Sequence, residues 1–264
     1  MKMNDVAIVT GASSGIGLEI SKVLCRLGYE VYGIGRDFQE QLPKTEVDKK
    51  KIDIQEAGWE GKNTEEADAD EIVGCKGIFH PIICDLLDTA KLENIIRTIK
   101  KENHVKVLVN NAGAGYYGLH EELNPGKIRE MVRVNLEVPM VLSNLLLRDI
   151  KKSQGTIINI SSVTATSSNP HGCAYGATKA GLTSFAHSLF DEARKYGVKV
   201  VNIQPDMTKT NLYRNANFTN SEDEGAYLHP EDVASMVEFI LSRREGCVMT
   251  DISLKPQFHR IQRK

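Results

Sequence analysis

An α/β fold, a single doubly wound domain with a central parallel sheet of about seven strands and helices on both faces, is what this 264-residue sequence predicts. Three observations carry the expectation. Short runs of aliphatic and β-branched residues alternate with segments whose apolar residues recur every three or four positions, the pattern of successive βα units. The first of those runs leads through a glycine-rich turn directly into a helical pattern. With 41% hydrophobic and 26% charged residues, the chain can bury one large core, and its strands read as continuous apolar runs because helices would cover both sheet faces.

Taken in order, the runs at 6–10, 30–35, 78–83, 105–110, 156–160 and 198–203 are expected as strands. Helical periodicity covers 18–27, 89–101, 128–150 and 174–196. A last helix is expected over 230–242, because Pro230 suits a first turn and Glu231 and Asp232 complement the positive end of the helix dipole. A final strand follows around 248–254. Region 37–77 breaks this rhythm, with twelve acidic and six basic side chains, the only Trp, Trp59, and far more chain than a βα connection needs. It reads as an acidic insert in a single domain spanning 1–264, either a solvated excursion or a flap over the adenosine end of a cofactor.

Charge and composition narrow the function. A formal net charge of −2 gives no excess of positive charge to attract nucleic acid or a membrane surface, so a small-molecule partner is expected. Little chain precedes the first apolar run and no stretch of 18 apolar residues occurs, which predicts a soluble, cytoplasmic protein. The five cysteines (Cys25, Cys75, Cys84, Cys173 and Cys247) and seven histidines are scattered without ligand spacing, so no metal site is expected.

The glycine turn, T-G-A-S-S-G-I-G at 10–17, places Gly11, Gly15 and Gly17 where a backbone turns sharply and approaches a ligand, with Ser13, Ser14 and Ile16 between them. Free amides and the dipole at a helix start favour a pyrophosphate, so strand, loop and helix in this order predict a dinucleotide site. At the end of the second strand, Gly35 is followed by Arg36 where NAD-selective folds carry a carboxylate. A guanidinium suits a ribose 2′-phosphate, so NADP(H) is expected over NAD(H). Asp37 could instead pair with Arg36 or serve the ribose itself.

Tyr175 and Lys179, four positions apart, share one face of the predicted helix over 174–196. A phenol ionises near pH ~10, and a fixed cation beside it favours the phenolate and brings it into range as a general acid or base. By itself the pair could equally decorate an exposed helix.

Together these residues resemble the classical short-chain dehydrogenase/reductase family over nearly the whole chain except the acidic insert. The matching segments are T-G-x-x-x-G-x-G at 10–17, N-N-A-G at 110–113, Y-x-x-x-K at 175–179, and Ser162 thirteen positions before Tyr175. The resemblance implies a Rossmann-type fold and a catalytic set of Asn135, Ser162, Tyr175 and Lys179. It also implies cofactor contacts from Asp85 and Leu86 at the adenine end, from Asn111, Ala112 and Gly113, and from Pro205, Thr208 and Thr210 at the nicotinamide end. Tyr175 would exchange the proton and Lys179 would lower its pKa and hold the nicotinamide ribose. Ser162 would donate to the substrate oxygen, and Asn135 would hold a water linking Lys179 to solvent. Each has a plainer reading: Ser162 could end a strand, Asn111 could cap a turn, and Asn135 could be a satisfied polar group in a helix.

Two departures stand out. The family commonly has Pro-Gly after the sixth strand, but here Pro205 is followed by Asp206, which removes an easy φ > 0 position and puts the loop's conformation in doubt. Ser14 stands where many NADP enzymes of the family carry a basic residue, leaving Arg36 as the main determinant. The implied reaction is hydride transfer between NADP(H) and a ketone or secondary alcohol. Aromatics and Met in 114–117, 164–173 and the substrate loop 207–227 point to a hydroxysteroid or other apolar ring ketone, unless they simply pack against the protein. The alternative from another class is a catalytically silent NADP(H)-binding sensor of the same fold, against which the intact Ser162, Tyr175 and Lys179 weigh. A third reading, epimerisation or dehydration on the same fold, is disfavoured by the modest length. The helices over 128–150 and 174–196 are where the family forms homodimers and homotetramers.

Overall fold

The strand Val6–Thr10 (β1) is buried along its whole length, as a run of five aliphatic and β-branched residues in the middle of a two-sided sheet should be. In the computed structural model, which describes residues 5–38 and 76–263, it is followed by Gly15–Arg26 (α1), Glu30–Gly35 (β2), Phe79–Ile83 (β3) and Thr89–Glu102 (α2). Most of the acidic insert, Trp59 included, lies outside the described residues. Val105–Asn110 (β4), Pro125–Val132 (α3), Val138–Ser153 (α4), Thr156–Ile160 (β5), Cys173–Ala193 (α5) and Lys199–Pro205 (β6) continue the alternation. Phe218–Asn220 (β7), Pro230–Leu241 (α6), Asp251–Leu254 (β8) and Ile261–Arg263 (β9) complete the described chain.

Seven strands form one parallel sheet in the order β3-β2-β1-β4-β5-β6-β8. The chain order reverses between β1 and β4, so the crevice at the carboxyl ends of the strands opens there. Alternation along each strand divides the core in two. Val6 and Ile8 point to the face covered by α2, α4 and α5, where they join Leu92, Leu142, Leu146 and Leu189. Ala7 and Val9 point to the other face, where Ile20 and Leu24 of α1 and Val237 and Ile240 of α6 cover them. The predicted α/β doubly wound architecture is thus present, with seven parallel strands.

The boundaries differ in instructive ways. The helix expected over 128–150 begins earlier, at Pro125, because Asn124 caps it by accepting from the Gly126 amide at 2.7 Å. It is also interrupted by a π-helical turn at Arg133–Glu137, which apolar spacing does not reveal. The helix expected over 174–196 closes in a tight 3₁₀ turn, Arg194–Tyr196, stopped by Gly197 at φ +80°. Pro230, Glu231 and Asp232 occupy the first turn of α6 as expected, and the His229 amide donates to Asp232 Oδ2 at 2.8 Å. An antiparallel pair without a periodic signal in the sequence joins β7 to β9. Among the described residues, no helix is long and apolar enough to cross a membrane.

Candidate active site

The glycine turn sits at the carboxyl end of β1, where Gly11 and Gly15 adopt φ of +67° and +53°. Gly17 is required for a different reason: a Cβ there would lie 2.2 Å from the Gly11 carbonyl oxygen and 2.4 Å from Asn111 Nδ2. The loop is bolted to β4 across the point where the strand order reverses. Thr10 Oγ1 accepts from the Asn111 and Ala112 amides at 3.1 and 3.0 Å, and Asn111 Nδ2 donates to the Thr10 and Gly11 carbonyls at 2.8 and 3.3 Å. Asn111, expected as a cofactor contact, thus spends its side-chain amide holding the phosphate loop in shape.

A cavity of about 480 Å³ runs along this edge of the sheet. Gly11, Ser13, Ser14, Gly15, Ile16, Arg36, Asp85 and Leu86 line it on one side of the reversal point, and Asn111, Ala112, Gly113, Ser162, Tyr175, Lys179, Pro205, Thr208 and Thr210 line it on the other. Of the residues singled out from the sequence, Gly17 and Asn135 are not on its wall. Gly17 is buried beneath the loop, and Asn135 stands behind Ala114. Cys84 and Leu87, neither of them expected at the site, also line the cavity; their place on either side of Asp85 at the end of β3 is the available signal. Arg36 is exposed at its mouth and forms no salt bridge among the described residues, to Asp37 or to any other carboxylate. Asp85 accepts from the Leu87 amide at 2.9 Å, which fixes the turn after β3.

Tyr175 and Lys179 lie one turn apart on the inward face of α5, and both are buried. The end of β5 holds α5 in place: Ser161 Oγ lies 2.8 Å from Thr183 Oγ1 and donates to the Lys179 carbonyl at 3.2 Å. The next residue, Ser162, accepts from the Thr164 amide and hydroxyl at 3.2 and 3.0 Å, which leaves its own hydroxyl hydrogen to donate to Tyr175. Lys179 Nζ donates to the Ile160 carbonyl at 2.8 Å and lies 5.8 Å from the centre of the Tyr175 ring.

Burial, rather than the lysine, dominates the titration of the phenol. It pushes Tyr175 up to about 12, against which the Ser162 hydrogen bond works, and it pulls Lys179 down to about 8. The lowered phenol pKa that the Tyr–Lys spacing predicts is therefore reversed here, because desolvation disfavours the charged form of both partners. At neutral pH Tyr175 keeps its proton and can act as an acid.

Asn135 lies in the π-helical turn and is fully buried. Its Oδ1 accepts from the Ala114 amide at 2.8 Å, and its Nδ2 donates to the Ala114 carbonyl at 2.9 Å and to Thr178 Oγ1 at 3.0 Å. The side chain is a satisfied polar bracket that fixes the strand exit at Gly113 and Ala114 against α5. Asp206 also resolves simply. It takes no left-handed conformation; its amide donates to the Leu254 carbonyl at 2.9 Å, its Oδ1 accepts from the Met207 amide at 2.8 Å, and its carbonyl accepts from Thr208 Oγ1 at 2.9 Å. The glycine common in the family is replaced by a side chain that caps its own turn.

Tyr175 and Tyr213, both on the cavity wall, are backed by a cluster of rings. Tyr117 lies 5.6 Å from Tyr175, 5.8 Å from Tyr213 and 5.3 Å from Phe218 between ring centres, and Tyr213 and Phe218 are 5.5 Å apart. Burial holds the Tyr117 and Tyr213 phenols well above their ordinary range, so both remain neutral.

Comparison with known proteins agrees with this geometry. A family model described as short chain dehydrogenase matches residues 33–221. An uncharacterised oxidoreductase of Staphylococcus epidermidis is 26% identical over 253 residues, covering 95% of this chain and 96% of that one. The 3-oxoacyl-(acyl-carrier-protein) reductase FabG of Salmonella typhimurium is 29% identical over 245 residues, covering 90% and 89%. Among solved structures, an alcohol dehydrogenase from the archaeon Thermococcus sibiricus, complexed with 5-hydroxy-NADP, aligns with a TM-score of 0.74 at 22% identity over 97% of this chain and 98% of that one, a likeness of fold. A metagenomic short-chain oxidoreductase in complex with NADP aligns at 0.69 and 25% identity, covering 96% and 97%. The family match spans both the N-N-A-G segment after β4 and the Tyr175–Lys179 pair on α5, and the chain is an oxidoreductase belonging to the short-chain dehydrogenase/reductase family.

Proposed function

We propose that the chain is an NADP(H)-dependent enzyme that moves a hydride between the nicotinamide and a ketone or secondary alcohol, with Tyr175 as general acid in reduction and general base in oxidation. The observation that carries the reading is the convergence of Tyr175, Ser162 and Lys179 on one end of a cavity whose other end holds the glycine loop and Arg36. When bound, the dinucleotide supplies the hydride. Residues 11–17 would seat its pyrophosphate, Arg36 its 2′-phosphate, Asp85 and Leu86 its adenine, and Gly113, Pro205, Thr208 and Thr210 its nicotinamide half. With a ketone in place Ser162 would turn its one hydroxyl hydrogen from Tyr175 to the substrate oxygen, stabilising the charge that develops there, and Tyr175 would deliver the proton. Lys179 would hold the nicotinamide ribose and offset the charge left on the phenol. Asn135 acts through Ala114, as a positioning residue.

Tyr213 on the cavity wall, backed by Tyr117 and Phe218, supports a flat apolar ring ketone, a class that includes ketosteroids, as substrate. That the Salmonella relative is named as a 3-oxoacyl-(acyl-carrier-protein) reductase supports the carbonyl/alcohol chemistry. The same reading carries a single domain over 1–264, a cytoplasmic location and a homodimer or homotetramer through α4 and α5, where Met140 is exposed.

The test is oxidation of NADPH with a panel of ketones, followed as loss of nicotinamide absorbance. Tyr175→Phe should abolish turnover while NADPH binding survives. Unchanged turnover in that variant, or no binding of either nicotinamide cofactor by the unaltered chain, would defeat the proposal.

A further inference from the structure

We infer that Phe258, Arg260 and β9 form a strap that positions the aromatic wall of the substrate pocket, and so set substrate affinity from a segment remote from the cofactor. The inference rests on the reading of Tyr175 as the reacting acid, because the wall it concerns is the one facing that phenol. After β8 the chain leaves the sheet edge and turns back over the loop 207–227. The Phe258 amide donates to the Gly225 carbonyl at 2.9 Å, and its ring packs so closely on Gly225 that a Cβ there would lie 2.9 Å from Phe258 Cδ2. Arg260 Nη1 donates to Asp223 Oδ2 at 2.7 Å, while Asp223 Oδ1 accepts from the Gly225 amide at 3.0 Å. β9 then pairs antiparallel with β7, placing Phe218 opposite Arg263, Thr219 opposite Gln262 and Asn220 opposite Ile261.

Phe218 connects the strap to the chemistry. Its backbone belongs to the ladder with β9, and its ring touches Tyr117 and Tyr213, the first of which lies against Tyr175. Two ring contacts therefore separate the β7–β9 ladder from the phenol that delivers the proton. The strap is also weak by construction. Two strands of three residues each are marginal by themselves, Phe258 and Ile261 remain 46% and 53% exposed, and the Arg260 guanidinium faces solvent. Such an element opens locally at low cost, without unfolding the sheet. Tyr175 and Tyr213 both line the cavity, so the packing of the Phe218 ring on Tyr213 shapes the wall that a ketone meets, and the strap sets how firmly Phe218 is held. Phe258 and Arg260 are thus positioning residues: they should act on KM and on loop opening, and leave the hydride step and the cofactor cleft alone.

Trypsin offers a readout that needs no substrate, because Lys209 and Arg214 are exposed in the loop that the strap fastens. Where opening is fast relative to cleavage, the cleavage rate reports the open population. Cleavage at these sites should be about two- to fivefold faster in Arg260→Ala, in line with a surface ion pair. It should be more than about tenfold faster in Phe258→Ala and in a chain ended after Lys255, where packing and ladder are lost as well. The conservative Arg260→Lys, which keeps a cation beside Asp223 and leaves the Asp223 bond to the Gly225 amide intact, should hold cleavage to within about twofold of the unaltered chain, a rescue that a generic folding defect would not show. NADPH binding, followed by its fluorescence, should stay within about twofold in all variants, and KM for a ketone found in the panel should rise more than kcat falls. Unchanged cleavage and KM in the chain ended after Lys255, or an Arg260→Lys variant no better than Arg260→Ala, would overturn the inference. Failure of the unaltered chain to bind NADPH or turn over any ketone would instead sink the proposed function, and the proteolysis comparison would still judge the strap.

Discussion

Truncating Asn135 to alanine tests whether this residue is the bracket that its contacts describe. The side chain is 0% exposed and makes three hydrogen bonds, two of them to the amide and carbonyl of Ala114 and one to Thr178 Oγ1. Asn135→Ala leaves both Ala114 groups without a partner, whereas Thr178 keeps its hydroxyl bonded to the Tyr175 carbonyl at 2.7 Å. Each lost bond costs about 1 kcal/mol, and an orphaned, partly buried amide and carbonyl add to that, so a loss of about 3 kcal/mol is expected. Urea denaturation should show it as a lower midpoint with an unchanged m-value. Asn135→Asp separates hydrogen bonding from volume, since a carboxylate fills the same space but turns an acceptor toward the Ala114 carbonyl. It should be as destabilising as alanine. The site should feel the change through Gly113, whose α-carbon faces both Asn135 Oδ1 and Lys179 Nζ, a built Cβ lying 3.7 and 3.8 Å from them. NADPH affinity should then fall by about fivefold, on the order of 1 kcal/mol. Losses below about 0.5 kcal/mol in both variants would refute the bracket, since surface changes alone stay within that range.

Two further outcomes follow from the same site. Arg36→Ala should weaken NADPH binding by tenfold or so more than NADH binding, the loss of a charge-assisted pair worth about 1.5–3 kcal/mol, as measured by titration of nucleotide fluorescence; equal losses would show that Arg36 does not read the 2′-phosphate. Lys179 gives a pH signature in stability: burial lowers it to about 8, so between there and its ordinary 10.5 the unfolded chain holds a proton that the folded chain has released, and stability should rise with pH by about 2 kcal/mol across pH 8 to 10. Above pH 10 the sign reverses, because Tyr175 at about 12 keeps a proton that the unfolded chain loses. The difference between the unaltered chain and Lys179→Met, measured by urea denaturation at each pH, should carry the rise, and a flat difference would contradict it.

How much of this was legible in the sequence depends on whether the governing contact is local. β1 could be read from its four apolar residues and a β-branched Thr10 because burial on both faces demands that run, and α6 from Pro230, Glu231 and Asp232 because a helix start has its own chemistry. The π-helical turn was not legible: one extra residue in a helix shifts the apolar stripe by less than the width of a buried face. Nor was the β7–β9 pair, whose strands are three residues long and mostly polar and whose pairing spans some forty residues of chain. The site shows the same division. The spacing of Tyr175 and Lys179 placed both on one face of α5, but the direction of the phenol's shift could not be read from spacing, since desolvation depends on what packs around it. N-N-A-G marked Asn111 as important; that its amide grips Thr10 and Gly11, a hundred residues earlier, required the fold.

That grip explains why residues scattered from position 11 to position 210 can act as one site. In a parallel sheet every strand delivers its carboxyl end to the same edge, so Gly11, Arg36, Asp85, Asn111, Ser162 and Pro205 arrive side by side from β1, β2, β3, β4, β5 and β6. The order β3-β2-β1-β4-β5-β6 sorts them further. Strands on one side of the reversal carry the groups suited to the phosphate and adenosine end, and on the other side β5 delivers the serine beside α5, which carries the acid and its lysine. The two halves meet at β1 and β4, where strands separated by almost a hundred residues exchange the four hydrogen bonds of Thr10 and Asn111. A dinucleotide spanning the cavity would have to bridge that seam. Its reach is fixed, so the spacing of Arg36 from Tyr175 has to be fixed too, and a rigid lock at the seam does so more economically than rigidity in either half. The mobile part of the design is then free to lie elsewhere, in the substrate loop and its strap, where the shape of the carbonyl compound rather than of the cofactor sets the fit.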